Sequence, residues 1–335
     1  MSGPADASGD PPPGVDWRPA LDRAGLERRA GALAAIRGFF AARAVLEVDT
    51  PQLVRHAVTD PALHSAEVRW PAAAGAVAGF LHTSPEYAMK RLLAAGSGDI
   101  YQLCHVFRGD EQGPLHNPEF LLLEWYRVGW PMRRLGAEVD ALLRVLHPGP
   151  LLPVRWTSYE QAFRAQLGVS ALDDPQPRLV ECARAQGFEA ALLARCSRDD
   201  LLDLLVGTTI GPRLGRDGPE FLHGYPASQA ALARLDPADP RTALRFELYL
   251  AGVELCNGFE ELGDAHEQRA RFEADRAARR ARGQPVPEAD EFLLQALAAG
   301  LPASSGVAVG VDRLLMLAAG ARRLDAVLPF RSERA

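Results

Sequence analysis

The amino-acid sequence predicts an α+β fold, in which an antiparallel β-sheet is flanked by helices. The first observation is a pair of strand patterns at 100–108 and 120–126, separated by a polar loop. Two strands joined in this way form a hairpin, and hairpins build antiparallel sheets. The second observation is that helical patterns lie between and after the strands. In addition, no GxGxxG or GxxxxGK[ST] motif follows a strand, so any nucleotide site is neither a Rossmann nor a P-loop site.

The composition is that of an ordinary globular protein. The chain has 335 residues, of which 47% are hydrophobic and 24% charged, which excludes a disordered, collagen-like or disulfide-scaffold protein. No run of about 18 uncharged apolar residues predicts a membrane span. Residues 1–16 are rich in proline and lack the features of a secretory signal, which predicts a disordered tail. Four widely spaced cysteines without a CxxC pair favour a cytoplasmic location.

The charged residues carry two further signals. The net charge of −6 argues against binding dominated by nucleic-acid phosphates, so tRNA is an unlikely partner. Lys90 is the only lysine among 37 basic residues. The simpler interpretation is a genome that favours arginine codons. The alternative is an enzyme that acts on lysine amines and avoids modifying itself.

The first part of the chain predicts a helix, a short strand and a second helix. Residues 16–43 have apolar side chains at helical spacing, and 45–51 alternate like a short strand ended by a proline. Ser84 is expected at the N-cap of the second helix, with Pro85 at its first position and Glu86 in its first turn.

The remaining chain predicts one large domain with a helical insertion. The domain spans 17–335, and the mostly helical stretch at about 131–205 is interpreted as the insertion. Residues 246–262 look like a strand, and 306–313 predict a short strand that runs into a helix.

The first segment that can carry chemistry is the loop between the two hairpin strands. Arg108 ends the first strand, where its guanidinium can fork onto a phosphate or a carboxylate. Asp110 and Glu111 can accept hydrogen bonds from an amino group, as on adenine, while His116 and Asn117 are donors on the returning arm. The alternative is a polar surface hairpin with a structural salt bridge.

The second segment, 254–262, places three carboxylates among apolar strand residues. Acidic side chains are unfavourable in a sheet, so they suggest a site for a divalent cation or a substrate ammonium. Asn257 and Glu261 share one face, and Glu254 joins them only if a bulge at Gly252 or Gly258 shifts the alternation. The alternative is an edge strand with solvated acids.

The third segment, 306–314, alternates valines with glycine and alanine. One face of this strand is bulky and the other nearly bare, so a ligand can lie against the backbone. Arg313 follows at the start of a helix, where its charge and the free N–H groups both favour an anion. The alternative is a strand packed tightly against a helix.

Together the three segments resemble the catalytic domain of class II aminoacyl-tRNA synthetases. Residues 39–51, 107–125 and 306–315 look like the three motifs of that class. The sequence His-Asn-Pro-Glu-Phe at 116–120 is similar to a segment of lysyl-tRNA synthetases. The run at 83–93 resembles more closely their paralogues, the elongation factor P–lysine ligases. The resemblance covers nearly the whole chain.

The resemblance implies roles for individual residues. It implies Arg108 and Arg313 as catalytic residues and Glu254 as a metal ligand. The implied ATP-binding residues are Arg108, Gly109, Asp110, Asn117, Glu254, Leu255, Gly310 and Arg313. The implied amino-acid-binding residues are Ser84, Pro85, Glu86, Tyr126, Glu261 and Ala308.

The chain departs from the family pattern at two adjacent positions. Asp110 replaces the usual glutamate, which shortens the adenine contact by one methylene unless Glu111 takes part. Gly109 replaces an asparagine, which loosens the loop.

The resemblance implies an ATP-dependent, AMP-forming ligase. With ATP and Mg²⁺ it would activate (R)-β-lysine as an acyl-adenylate and transfer it to a lysine side chain of elongation factor P. A homodimer through 26–51 is expected from the apolar stripe of that segment.

Two alternatives to this function are weighed. A truncated lysyl-tRNA synthetase that charges tRNA is disfavoured because only residues 1–16 precede the domain, too few for an anticodon-binding barrel. A non-catalytic synthetase paralogue is disfavoured because Arg108, Glu254, Glu261 and Arg313 are all present.

Overall fold

The computed structural model describes residues 17–72, 75–109 and 111–335. The tail predicted at 1–16 and the ATP contact predicted for Asp110 lie outside these residues. The helices are α1 (Arg23–Ala41), α2 (Glu86–Ala94), α3 (Met132–Leu146), α4 (Tyr159–Leu167), α5 (Gln176–Ala185), α6 (Ala190–Leu193), α7 (Arg198–Leu205), α8 (Ala265–Ala281), α9 (Glu291–Gly300) and α10 (Val311–Ala318). In this part of the chain no helix is both long enough and apolar enough to span a bilayer.

The strands build one large and one small sheet. They are β1 (Leu46–Glu47), β2 (Leu53–Val54), β3 (Glu67–Ala72), β4 (Gly75–Leu81), β5 (Ile100–Phe107), β6 (Glu119–Val128), β7 (Arg155–Ser158), β8 (Glu220–Pro226), β9 (Thr242–Leu250), β10 (Val253–Glu260) and β11 (Ser304–Gly310). The large sheet has the order β1-β5-β6-β11-β10-β9-β8-β7, and the small one β2-β4-β3.

The predicted α+β fold with an antiparallel sheet is confirmed, with one difference at the edges. All inner pairs of the large sheet are antiparallel. The edge strands β1 and β7 pair parallel with β5 and β8. Each of these edge pairs is joined by a long connection that contains helices, as parallel neighbours require, whereas β5–β6 and β9–β10 are hairpins.

The two faces of the large sheet differ in chemistry. On one face Trp125, Val307 and Phe246 are at most 2% exposed and pack with residues of α1, α3 and α10. This packing is tight, since a methyl group on Gly258 would lie 2.4 Å from the Phe246 ring. The other face carries small and polar residues and borders a cleft. The alternation of side chains along each strand thus separates core from site.

The helical stretch predicted at 131–205 packs in two places. Helix α3 joins the main core through Leu135 and Val139, and β7 extends the large sheet. Helices α4, α5 and α7 build a second core that includes Phe163, Leu201 and Leu222 of β8. This second core covers the β8 side of the open face and so forms one wall of the cleft.

Two segment boundaries differ from the sequence prediction. Helix α1 begins at Arg23 because the Asp22 carboxylate accepts the Gly25 N–H at 2.7 Å and caps it there. The single strand predicted at 246–262 is wrong, because β9 and β10 are two strands joined by a tight turn. Ala251 and Gly252 both have positive φ in this turn, 53° and 79°, as a two-residue hairpin turn requires.

A buried ion pair fixes α3 to the central sheet. The Glu138 carboxylate accepts hydrogen bonds from Trp125 Nε1 at 3.0 Å and Arg127 Nε at 2.8 Å. Arg127 also donates to Asp99 at 2.8 Å, which ties the turn before β5 to β6. Glu138 is 6% exposed, so its charge depends on these donors.

We expect Glu138→Ala to lower the free energy of unfolding by about 3 kcal/mol, because it leaves a buried arginine and indole without their acceptor. Urea denaturation followed by circular dichroism measures this. The matched control is Glu27→Ala, whose carboxylate pairs with Arg23 on the exposed side of α1 and is expected to change stability by less than about 0.5 kcal/mol. Equal effects of the two substitutions would contradict the structural role given to Glu138.

Candidate active site

A row of polar side chains crosses the open face of the large sheet. Residues directly opposite each other on neighbouring strands point to the same face. Glu124 on β6 lies opposite Ala308 on β11, which lies opposite Asn257 on β10. Asn257 lies opposite Glu247 on β9, and Glu124 lies opposite Gln102 on β5. The small residue Ala308 therefore lies between the Glu124 carboxylate on one side and the Asn257 amide on the other, with the Glu247 carboxylate one strand beyond.

A cleft of about 1510 Å³ lies over this row. Its volume exceeds that of an ordinary single-ligand pocket, roughly 300–1,000 Å³, and leaves room for two substrates. Tyr126 and Glu261 are 2% and 6% exposed and lie behind the lining of the cleft. Tyr126 is joined to the lining residue Ser84 through Glu124, and Glu261 is joined to the lining residue Glu86 through Lys90. The predicted site residues that line it are Ser84, Pro85, Glu86, Arg108, Asn117, Glu254, Leu255, Ala308, Gly310 and Arg313.

Glu254 reaches the cleft because β10 contains a bulge. The pairing of β10 with β9 shifts between Glu254 and Cys256, so Leu255 is an extra residue. An extra residue reverses the alternation of side chains, which puts Glu254 on the same face as Asn257. From the sequence alone, Glu254 can share this face only if β10 contains a bulge. The structure has that bulge at Leu255.

Two arginines border Glu254 and are available to an anion. Arg313 donates through Nη1 to the Glu254 carbonyl oxygen at 3.1 Å and lies 3.7 Å from its carboxylate. Arg108 contacts the Glu111 carboxylate at 3.2 Å and lies over the Phe120 ring. The Arg108 Nε is buried without a hydrogen-bond partner among the described residues. Such an unsatisfied donor is favourable only if a ligand completes it.

The position of Arg313 is fixed by its neighbour Asp312. The Asp312 carboxylate accepts from Arg29 of α1 at 2.6 Å and from the backbone N–H of Leu121 at 2.8 Å. Asp312 is 2% exposed. The start of α10 is thereby tied to both α1 and β6, which holds Arg313 at the mouth of the cleft.

Glu247 is a site residue that the sequence analysis did not single out. Its carboxylate accepts from Arg245 at 2.6 Å and from the Tyr249 hydroxyl at 2.8 Å. Deep placement in the cleft and repulsion from Glu247 raise the pKa of Glu254 to about 7, although Arg313 and Arg108 oppose the shift. One feature of the sequence could have pointed to Glu247. If a bulge in β10 brings Glu254 to the open face, Glu254 comes close to Glu247, which already lies on that face.

These two carboxylates fit a divalent cation that also binds phosphate. Among the described residues no cluster of three or more histidine, cysteine, aspartate or glutamate side chains could hold a metal ion by itself. Mg²⁺ is commonly held by one or two carboxylates together with substrate phosphates. The repulsion between Glu247 and Glu254 is the kind that a bound cation relieves.

The loop after Arg108 makes one contact that the sequence allowed and two kinds of contact that it did not predict. Glu111 pairs with Arg108, as the sequence analysis allowed. Gly109 donates its N–H to the His64 carbonyl oxygen at 3.0 Å, so this part of the loop is held by backbone. The Asn117 amide donates to Glu119 O at 2.6 Å and accepts from the Ser332 N–H at 3.2 Å, so it anchors the C-terminal segment.

The other end of the cleft is built around Glu124. Its carboxylate accepts from the Ser84 hydroxyl at 2.7 Å and the Tyr126 hydroxyl at 2.6 Å. The Ser84 hydroxyl also accepts the Glu86 N–H at 3.0 Å. The N-cap position of α2 is Pro85, so the prediction of Ser84 at the N-cap is wrong by one residue. The serine instead links α2 to the Glu124 carboxylate.

Three carboxylates and one ammonium meet at this end. Lys90 Nζ lies 2.7 Å from Glu86 and 2.6 Å from Glu261. Burial and the Glu86 charge raise the pKa of Glu124 to about 8. Burial also raises the pKa of Glu261 to about 7, although Lys90 opposes the shift. Clustered carboxylates of this kind suit a ligand that brings positive charge.

Gly306 keeps this end of the cleft open. A methyl group at this position would lie 2.3 Å from the Tyr126 ring and 2.5 Å from the Glu261 carboxylate. Ala308 follows two residues later on the same face, between Glu124 and Asn257. The bare face predicted for β11 is therefore confirmed, and Ala308 supplies its one methyl group.

Comparison with known proteins agrees with this geometry. The chain matches the family of class II tRNA synthetases (D, K and N) over residues 15–144 and 184–334. A relative from Erwinia tasmaniensis is 48% identical over 96% of this chain and 98% of its own length. Relatives from Salmonella heidelberg and Edwardsiella ictaluri are 47% and 48% identical, over 95% and 96% of this chain and 98% and 99% of their own lengths. All three relatives bear the name elongation factor P–(R)-β-lysine ligase.

The family match covers the hairpin with Arg108 as well as the strand and helix with Arg313. The unmatched residues between 144 and 184 hold β7, α4 and much of α5, which build the edge of the large sheet and part of the second core rather than the central strands. The chain therefore belongs to the family of class II tRNA synthetases (D, K and N).

Proposed function

We propose that the protein is an ATP-dependent ligase that activates (R)-β-lysine and transfers it to a lysine side chain of elongation factor P. The observation that carries the proposal is a cleft that has Arg108 and Arg313 at one end, and the buried carboxylates Glu124 and Glu261 behind its lining at the other. One end suits a polyphosphate and the other an amino acid with two ammonium groups. The relatives that match 96% and 95% of this chain, and the name they bear, support the same substrates.

The reaction follows from the position of the charges. The β-lysine carboxylate attacks the α-phosphorus of ATP, the bond to the β-phosphate breaks, and pyrophosphate leaves with the bonding electrons. Arg108 stabilises the charge that develops at the α-phosphate, and Arg313 holds the terminal phosphate. The acceptor lysine amine then attacks the acyl carbon, loses a proton, and displaces AMP. No protein nucleophile takes part, so catalysis rests on positioning and charge stabilisation.

ATP use accords with the family, and Mg²⁺ is part of the proposal. Glu254 and Glu247 would hold the ion beside the phosphates, where it would neutralise part of their charge. In the absence of a bound ligand Glu247 is kept in place by Arg245 and Tyr249.

The remaining parts of the proposal concern organisation. We propose one catalytic domain over 17–335, with the second core around Phe163 as its insertion, and a cytoplasmic location. We also propose a homodimer through residues 26–51, which include most of α1 and all of β1. Leu26 and Leu46 are 43% and 58% exposed in this segment, which leaves apolar surface for a partner subunit. Light scattering at micromolar concentration tests the dimer, and the mass of a single chain would contradict it.

The function is tested by intact-mass spectrometry after incubation with ATP, Mg²⁺ and (R)-β-lysine, with either elongation factor P or tRNA as acceptor. We expect elongation factor P to gain one β-lysyl group and tRNA to gain none. Arg108→Ala and Arg313→Ala are expected to reduce the modification by about 100-fold or more, because each removes a preorganised charge at a phosphate. Modification of tRNA alone, or full activity in both variants, would refute the proposal.

Ala308→Gly is expected to shift substrate choice toward α-lysine. The Ala308 methyl group lies between Glu124 and Asn257, where it crowds an amino group next to the substrate carboxylate. In β-lysine that amino group is one carbon further along. The wild type should therefore favour β-lysine, and the ratio of the two kcat/KM values should fall about tenfold in the variant, since one methyl is worth about 1–3 kcal/mol.

Pyrophosphate exchange with each isomer measures this ratio, and the KM for ATP is the internal control. A wild type that prefers α-lysine, or a ratio unchanged by the substitution, would show that Ala308 does not set the preference.

A further inference from the structure

Lys90 is the only lysine of the chain. It lies directly behind the end of the cleft that is lined by Ser84 and Glu86, here called the amino-acid end, and its ammonium pairs with Glu86. It belongs to α2 and is 1% exposed. Its ammonium lies between the carboxylates of Glu86, one turn earlier on α2, and Glu261, which follows the end of β10. A residue chosen only for solvation would be on the surface, as lysines almost always are.

Lys90 links helix α2 to the segment that follows β10. Glu86 and Lys90 are four residues apart and share one face of the helix. Glu261 follows the end of β10, 175 residues after Glu86 in the sequence. Its side chain is 1% exposed. The ammonium therefore fixes the distance between two carboxylates that belong to different elements.

The balance of charge at this end depends on the same residue. When ionised, Glu86, Glu124 and Glu261 carry three negative charges, and Lys90 supplies one positive charge. The remaining two negative charges equal the two ammonium groups of β-lysine. The Lys90 Nζ and both Glu261 oxygens make no well-aligned hydrogen bond in the described structure, so the carboxylate retains capacity for a ligand.

We propose that Lys90 is a positioning residue of the amino-acid pocket, whose ammonium holds the Glu86 and Glu261 carboxylates at the spacing that a diammonium substrate needs. The inference rests on the proposed function, because it needs β-lysine to bind at this end of the cleft. Lys90 acts through the two glutamates and does not itself contact the substrate.

The surroundings of the two glutamates allow the sign of a pH effect to be worked out. Asp275 and Asp290 lie near Tyr87, on the side of α2 that faces α8 and α9. Removing the Lys90 charge raises the pKa of the nearby carboxylates, whereas an ammonium ligand needs them ionised. The acid limb of kcat/KM for β-lysine should therefore move to higher pH. The titratable groups close to Glu86 or Glu261 are Tyr87, Lys90, Glu124 and Tyr126.

The experiment compares Lys90→Met with Arg91→Met by pyrophosphate exchange across pH 6–9 (a range of roughly one unit or more around the carboxylate values near 7 and 8). Arg91 is the matched control, because it is exposed on the same helix and lies over the Phe292 ring. For Lys90→Met we expect the KM for β-lysine to rise about tenfold or more, with the KM for ATP within about twofold of wild type. The acid limb should move to higher pH only in this variant.

Lys90→Arg keeps the charge and covers the case in which Lys90→Met does not fold. We expect it to keep the wild-type acid limb and to raise the KM for β-lysine, because a planar guanidinium cannot replace a point charge between two carboxylates. An unchanged KM for β-lysine in either folded Lys90 variant would overturn the proposal. A wild type that does not activate β-lysine would instead refute the proposed function, and the Lys90 assignment with it.

Discussion

The amino-acid end of the cleft depends on carboxylates that are buried yet required to carry charge. Burial favours their neutral form, so each needs a donor or a cation close by. Ser84 and Tyr126 donate to Glu124, and Lys90 pairs with Glu86 and Glu261. Attraction to these two glutamates outweighs burial and raises the pKa of Lys90. Its amine thus stays protonated and has no lone pair with which to attack an acyl-adenylate in the same cleft.

The large sheet places these carboxylates at one end of a site whose two ends differ in charge. Opposed residues on β6, β11, β10 and β9 bring carboxylates into one row, and the bulge at Leu255 adds Glu254 to it. The opposite face is filled by the core, which fixes the register of every strand. The positive charge that an anion would need comes from outside this row. Arg108 directly follows β5, and Arg313 lies in the first turn of α10. The small residues of β11 therefore lie between the arginine end and the carboxylate end of the site.

Much of this arrangement could be predicted from the sequence, and the exceptions have physical reasons. Alternation in β11 predicted its bare face, and the position of Arg108 at the end of a strand predicted a guanidinium that can reach an anion. Alternation alone could not show that Glu254 changes face, because a bulge is decided by pairing with β9. The roles of Glu247 and Lys90 could not be predicted, because the position of Glu247 beside Glu254 depends on the bulge and the pairing of Lys90 with Glu261 depends on the fold. The hairpin turn at Ala251 was missed because alanine is an unusual residue for positive φ.

The most direct test of this account is the number of protons exchanged when (R)-β-lysine binds. Glu124 and Glu261 have pKa values near 8 and 7 in the free protein, so both are partly protonated near neutral pH. Ammonium groups lower these pKa values on binding, and protons are released. Calorimetric titration at about pH 7.5, in buffers of different ionisation enthalpy, should show net proton release that decreases in Glu124→Gln. Binding without proton release, or with proton uptake, would contradict the account.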